Sequence, residues 1–402
     1  MNHILFIAWW WPYPAINGSK IRIYNLLRQL ARTYTVTLLA FVGPGEGTAE
    51  QLEHLRSFLS AVEIVERPEE HTNGVRNIIG YLSRYPRHLH AVYSTEMAQL
   101  VAEYGQQADM IIGSQMETLR YLELLPHLPA ILEELEITVF QNRVEQATSQ
   151  RARWRAQLTL TKLEAIIEAV QKRGVAITVV SEPEMTYLQR LNVKAAPITV
   201  IPNGVDTVML RPDPALPPQP ETLVYAGSVT YQPNYDAVKY FIRDVLPLVR
   251  EQHPTVQLRI TGKTGDRDVS DLAAVPGVHF TGHLPEVAPV IQSSWASVVP
   301  LRLGGGTRLK ILESMALGTP VIATHKGAEG LAVRDGETIL IADRPEEIAA
   351  AVYRVLSDVD FRNQLAAAGR QLVVEQYDWA IIGQQLIEFI ETTVQKKVMV
   401  HG

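Results

Sequence analysis

The chain of 402 residues reads as an α/β protein made of two halves. Three observations carry that reading. It opens with a short apolar run, a glycine-bearing loop, an amphipathic helix and a second apolar run, which is a βαβ unit. Near its middle, RPDPALPPQPE (Arg211–Glu221) is dense in proline and reads as an extended linker. Beyond it the alternation of short apolar runs and helical stretches starts afresh. The length itself suits two or three domains.

Composition narrows the class. With 47% hydrophobic and 20% charged residues the chain can bury large cores. A net charge of −6 argues against general nucleic-acid binding, though not against a local phosphate pocket. The absence of cysteine excludes disulfides, thiolate metal sites and a cysteine nucleophile, and fits a reducing compartment. No window holds the ~18 consecutive apolar residues of a membrane span. The start, MNHILFIAWWWPYP, lacks a basic n-region and a small-residue cleavage site, so it reads as a buried strand. The expected location is cytoplasmic.

In the first half, Ile4–Ala8 is a strand and Trp9–Lys20 the loop after it. Ile21, Ile23, Leu26, Leu27 and Leu30 mark a helix, followed by a strand at Thr35–Phe41. Such folds bind ligands at the carboxyl ends of their strands, which places Gly18 at a cleft or, alternatively, makes it a simple turn glycine. Ala61–Val65 and Asp109–Gly113 are further strands. GYLSRYPRHLH (Gly80–His90), with Arg84, Arg87, His88 and His90, is either a solvated charged loop or a receiver of an anionic acceptor. Pro129–Leu135 is a strand ending in acids; Glu133, Glu134 and Glu136 are candidates for acceptor or catalytic chemistry, with surface charge as the alternative. Thr138–Arg173 reads as one uninterrupted helix. Its Arg143, Arg151, Arg153 and Arg155 surround Trp154, forming either a solvated face or one that rests on an anionic membrane. Val175–Val180 is a strand, and Ser181 with Glu184 has capping-box spacing.

In the second half, strands are expected at Thr222–Gly227, Val256–Thr261, Val278–Gly282, Ser297–Leu301 and Val321–Thr324. Asn234–Arg250 and Pro345–Gln376 read as helical, and a last amphipathic helix runs to about Val398. The stretch of most chemical interest starts at Gly304, Gly305 and Gly306. Thr307 is the expected N-cap of a helix marked by Leu309, Ile311, Leu312, Met315 and Ala316, and Gly318 stops it. A glycine loop feeding a helix N-terminus offers backbone N–H groups and a favourable dipole to an anion. Arg308 and Lys310 fall in the first turn, where the dipole favours acids; basic residues make sense there if a polyanion arrives. Glu313 can accept bonds from ribose hydroxyls. A tight turn with surface charges is the plainer reading.

The whole segment LGGGTRLKILESMALGTPVIATHKGAEGL (Leu303–Leu331) resembles the donor-binding segment of glycosyltransferase family 4. PYPAINGSKIRIYNLLRQLA near the start and IPNGVDT (Ile201–Thr207) resemble the family's N-terminal loop and domain junction. The resemblance implies a GT-B fold: two Rossmann-like, doubly wound domains facing each other across a cleft. Residues 1–203 would bind the acceptor, 204–376 the nucleotide sugar, and 377–402 would form a helix crossing back. It implies a metal-independent, retaining glycosyltransferase using a UDP-, GDP- or ADP-sugar, with no cofactor. The acceptor would be a glycan, a lipid-linked sugar or a small molecule, met in the cytoplasm or at the inner membrane face.

The implied donor site comprises Gly18, Gly227, Lys263, His283, Leu284, Gly304, Gly305, Gly306, Thr307, Arg308, Lys310 and Glu313. Three departures from the family pattern matter. The usual catalytic histidine falls on Leu135, leaving Glu133, Glu134 and Glu136 as substitutes. The Arg and Lys after the first C-domain strand are replaced by Ser228 and the region near Asn234. Gly305 stands where the first of two paired glutamates is expected. Metal-dependent transferases use an Asp-x-Asp pair; Asp266-Arg267-Asp268 and Asp358-Val359-Asp360 match by chance. Two rival functions are a nucleotide-sugar 2-epimerase and a non-catalytic nucleotide-sugar-binding partner of a glycan-assembly complex.

Overall fold

A computed structural model describes residues 2–68, 83–191, 195–304 and 308–401. The chain divides into two compact units, Met1–Pro202 with Ile382–Gly402, and Asn203–Ile381.

The first unit is built on a parallel sheet of β1 (His3–Ala8), β2 (Thr35–Val42), β3 (Ala61–Glu66), β4 (Met110–Ser114), β5 (Ala130–Glu133), β6 (Ala176–Val179) and β7 (Ile198–Val200). Their order is β3-β2-β1-β4-β5-β6-β7. Helices cover both faces, so strands lose the alternation of a half-exposed sheet; Ile4 to Ala8 are all fully buried. The order reverses between β1 and β4, and the crevice at such a point is where open α/β sheets bind ligands.

Two local expectations fail here, each for a reason. The stretch from Thr138 is two helices, Thr138–Glu145 and Gln150–Lys172. Ser149 adopts an extended conformation and accepts from Ala152 N at 3.2 Å, because a serine hydroxyl stabilises a helix start better than a helix interior. The Ser181–Glu184 pair is not a capping box: Ser181 makes no side-chain cap to the helix Glu182–Arg190. Glu184 instead accepts from Ile137 N (2.9 Å) and Thr138 N (3.1 Å), so its carboxylate caps the helix Thr138–Glu145.

The second unit has β8 (Gln219–Ala226), β9 (Gln257–Thr261), β10 (Val278–Gly282), β11 (Ser294–Val299), β12 (Val321–Ala323) and β13 (Leu340–Ile341), all parallel, in the order β10-β9-β8-β11-β12-β13. Its reversal lies between β8 and β11. The helix from Gln232 passes through a π turn at Phe241–Val245 before Leu246–Gln252. Pro247 causes the turn, since it lacks an N–H and its ring would strike the carbonyl one turn back. The expected helix over Pro345–Gln376 is split at Asp358, which accepts from Phe361 N at 2.9 Å and caps the second half. The proline-dense stretch is not a free linker. Gln292 Oε1 accepts from Asp213 N (2.9 Å), and its Nε2 donates to the carbonyls of Asp213 (2.6 Å) and Leu216 (3.1 Å).

The last helix, Trp379–His401, packs into the first unit from Ile382 onward. Ile382, Leu386 and Ile390 are fully buried, and a Cβ at Gly383 would lie 2.4 Å from Gln29 Cβ. Only glycine lets this helix approach so closely. No helix among the described residues is long and apolar enough to cross a membrane.

Candidate active site

In the second unit the carboxyl ends of β8, β9 and β10 and the loop after β11 all carry a glycine at positive φ. Gly227 has φ 148°, Gly262 97°, Gly282 71° and Gly304 94°. At two of them the reason is close approach. A Cβ on Gly262 would lie 2.6 Å from Ser228 N, and one on Gly227 would lie 2.8 Å from Lys310 Nζ. The backbone here is packed against backbone and against one amine, leaving main-chain groups as the lining.

Lys310, in the first turn of the helix Leu309–Ala316, reaches back to the switch point between β8 and β11. Its Nζ donates to Tyr225 Oη and Asn234 Oδ1, both at 2.9 Å, and sits 4.3 Å from the Tyr225 ring centroid. Tyr225 Oη in turn donates to Asn234 Oδ1 at 2.8 Å, and Asn234 Nδ2 to Ser228 O at 2.8 Å. None of these partners is an anion. Burial, with the Arg308 charge adding to it, brings the Lys310 amine down to about 7, and Glu313 opposes the shift. Burial pushes the Glu313 carboxyl up, Lys310 opposing. Among the described residues no hydrogen bond reaches the Glu313 carboxyl, while its carbonyl accepts from Leu317 N at 3.1 Å. A cation lacking a counter-ion and a carboxylate with open lone pairs thus share one helix face, three residues apart.

Arg308 departs from expectation. It occupies the N-cap position rather than the first turn, without a side-chain cap bond. Its guanidinium is buried and donates to the carbonyls of Gly304 (2.9 Å) and Lys326 (3.1 Å), tying the start of the glycine loop to the turn His325–Ala328 after β12. Gly305, Gly306 and Thr307 lie outside the described residues. Lys263 is exposed; its carbonyl accepts from Ser228 Oγ at 2.7 Å and Val229 N at 3.1 Å, tying the β8 and β9 loops together. His283 is exposed and Leu284 half-buried just beyond β10. Asp268 accepts from Ser270 N at 2.9 Å, a local turn, as Asp358 serves its cap. Among the described residues no group of three His, Asp or Glu side chains is placed to hold a metal.

In the first unit Gly18 begins the helix Gly18–Leu30, capped by Asn17, whose side chain accepts from Lys20 N at 3.1 Å. The three acids separate. Glu133 is fully buried; it takes Arg22 Nε at 2.7 Å and Ser114 Oγ at 3.0 Å, and Arg22 also donates to the carbonyls of Ile201 and Pro202. Its carboxylate is taken up by Arg22 and Ser114. Glu134 leaves the strand conformation at φ 58° and accepts from Gln115 Nε2 at 3.0 Å; Gln115 itself sits at φ 72°. Such backbone costs about 1–3 kcal/mol per residue and clusters at functional sites. Glu134, Glu136, Gln115, Met116, Glu117, Trp10, Val139 and Phe140 line a hollow of ≈ 180 Å³ at the β1/β4 switch point.

Burial above all, with Glu133 and Glu136 adding, pushes the Glu134 carboxyl up to about 8 against Arg22 and Gln115. Glu136 is also raised, by burial and then by Glu184. Leu135 points the other way, fully buried in the core. A histidine at this position would therefore face the core, while the carboxyls on either side face the hollow.

The charged loop expected at Gly80–His90 is mostly engaged, and Gly80–Leu82 lie outside the described residues. Arg84 pairs with Glu123 at 2.7 Å. His88 stacks on Phe140 and is held neutral, its imidazole brought down to about 4 by burial and then by Arg143. What the sequence did not single out is Tyr225, Trp10, Gln115 and Phe140. The signal for Tyr225 was weak, one aromatic in an apolar strand. For Gln115 there was none, since a positive φ on glutamine is not written in its neighbours.

Comparison with known proteins accords with this geometry. Residues 16–208 match the family described as Glycosyltransferase Family 4, and residues 220–358 match Glycosyl transferases group 1. A phosphatidyl-myo-inositol mannosyltransferase of Mycobacterium tuberculosis is 29% identical over 251 residues, 58% of this chain and 64% of that protein. The match thus spans less than two thirds of that relative. Sucrose-phosphate synthase from Thermosynechococcus elongatus superposes over 100% of both chains at TM-score 0.69 and 19% identity. The Anabaena protein Alr3699/HepE in complex with UDP superposes over 98% of this chain and 100% of its own at TM-score 0.68 and 14% identity. At those identities the likeness shows the fold alone. The chain belongs to glycosyltransferase family 4 and has its GT-B architecture of two Rossmann-like domains.

Proposed function

We propose that this protein is a retaining glycosyltransferase that takes a sugar from a nucleoside-diphosphate sugar without a divalent metal. The observation that supports it most is the Lys310 amine, buried beside the uncharged Tyr225 and Asn234 and in no ion pair among the described residues, at the glycine-lined switch point of the second sheet. A diphosphate supplies the missing charge. As the bond from the anomeric carbon to the diphosphate oxygen breaks, negative charge grows on the departing group, and Lys310 with the positive end of its helix stabilises it. Arg308 adds charge from behind while holding the loop shape. Glu313 receives the ribose hydroxyls. The acceptor hydroxyl oxygen forms the new bond, and its proton leaves with the diphosphate.

The acceptor is a glycan or a lipid-linked sugar, held in the first unit by the hollow around Glu134 and Glu136. Carboxyls that accept hydroxyls, beside the aromatic side chains of Trp10 and Phe140, are the chemistry that binds a polyol ring. That the M. tuberculosis relative is named for a phosphatidyl-myo-inositol acceptor agrees with this class.

Calorimetry with UDP-, GDP- and ADP-sugars in the presence of EDTA tests the reading. One nucleotide should bind, with affinity lost in Arg308→Ala and reduced about tenfold or more in Glu313→Ala, since each hydrogen bond to a charged group contributes about 1.5–3 kcal/mol. Folded protein that binds no sugar nucleotide overturns it. Binding without turnover across many acceptors would favour the non-catalytic partner, and an epimerised product without any acceptor would favour the epimerase.

A further inference from the structure

The helix Gln150–Lys172 enters the core late. Leu160, Leu163, Ile166, Ile167 and Val170 are buried, while Gln150, Arg151, Ala152, Arg153, Trp154 and Arg155 are all exposed, Trp154 by 61%. Its first two turns therefore carry side chains that add nothing to the buried core. Three of the six are arginines at the positive end of the helix dipole, where each is unfavourable, and no acid occupies the first turn to offset them. Among the described residues none of these three guanidiniums has an ion-pair partner; the pair this helix makes is Lys172 with Glu168 at its far end. Arg143, exposed on the adjoining helix Thr138–Glu145, lies over Phe140 and adds a fourth positive charge. Neither folding nor helix stability accounts for this arrangement.

We propose that this helix start is a docking site for the anionic surface of a lipid bilayer, with Trp154 seated among the headgroups. The charges are complementary, and the apolar ring with its single N–H donor suits Trp154 to a layer that is wet on one side and apolar on the other. A planar surface meets only the patch, whereas a flexible polyanion would also meet a protein of net charge −6. Contact is peripheral, an electrostatic attachment with one indole anchor. The attachment does not depend on the donor chemistry.

Co-sedimentation of the full chain with lipid vesicles tests the proposal, using phosphatidylcholine alone and phosphatidylcholine with one quarter phosphatidylglycerol, each at low and high salt. The protein should pellet with the anionic vesicles only and be released by salt. Each arginine near a charged surface contributes roughly fivefold, so Arg151→Gln, Arg153→Gln and Arg155→Gln together should weaken partitioning on the order of 100-fold. Trp154→Ala should weaken it by a smaller, salt-independent factor. These side chains touch no core, so thermal unfolding and calorimetric donor binding should be unchanged in every variant. Equal partitioning of the triple variant and the unaltered protein overturns the proposal, as does failure of the unaltered protein to bind anionic vesicles. Preferential binding of a single-stranded RNA over those vesicles also overturns it, in favour of a nucleic-acid partner.

Discussion

Donor binding should be accompanied by uptake of one proton at Lys310. In the free protein burial and the Arg308 charge bring this amine down to about 7, well below an ordinary lysine. A diphosphate placed against it favours the charged form and returns its pKa towards the usual range. The sign follows. Below about pH 6.5 the free amine is already charged and affinity is flat; above about 7 each donor bound must bring a proton, and affinity falls about tenfold, or 1.4 kcal/mol, per pH unit. From pH 7 to 9 the loss should be roughly fiftyfold. The diphosphate of a nucleotide sugar is fully ionised throughout this window, so the proton belongs to the protein. Calorimetry in two buffers of different ionisation enthalpy counts it directly. Lys310→Met should bind the donor weakly and lose the pH slope. Affinity that stays level from pH 7 to 9, or a slope that survives in Lys310→Met, would refute the reasoning.

Removing one partner of the buried Arg22–Glu133 pair, as in Arg22→Met, should cost about 3–5 kcal/mol in urea unfolding, and replacing both by apolar residues should recover much of it. Glu134→Gln should raise thermal stability near pH 8. The folded-state carboxyl is raised to about 8, so its stabilising contribution is complete below the unfolded value near 4.3 and is lost as pH climbs through 8. The advantage of the variant should therefore vanish near pH 4. Gly262→Ala and Gly282→Ala both force an alanine into positive φ, which costs about 1–2 kcal/mol. Gly262→Ala also drives a methyl against the Ser228 backbone, while Gly282 has open space, so Gly262→Ala alone should abolish donor binding in calorimetry.

Much of this architecture was legible because parallel strands buried on both faces are written as short apolar runs, and Ile4–Ala8 or Val278–Gly282 can be read almost to the residue. The helix Leu309–Ala316 after the glycine run was legible from its apolar spacing. That same spacing put Lys310 and Glu313 on one helix, as the structure has them. What escaped depends on partners far along the chain. Glu184 looked like a local cap and serves a helix more than forty positions earlier. Glu133 looked like Glu134 until Arg22, over a hundred residues away, claimed it. Ser149 breaks a stretch whose pattern is otherwise continuous, since a cap is a single hydroxyl within a helical period.

The return of the last helix bears on how the protein is made. The unit that begins first on the ribosome, Met1–Pro202, is finished last, because Ile382, Leu386 and Ile390 complete its packing. All of Asn203–Ile381 emerges in between, on the order of ten to forty seconds at about 5–20 residues per second. During that interval the nascent first unit lacks the helix that packs at Gln29 through Gly383. The second unit, continuous in sequence, is free to fold within that wait. A nascent chain stalled before residue 382 should therefore hold a complete second unit and an unfinished, chaperone-dependent first one.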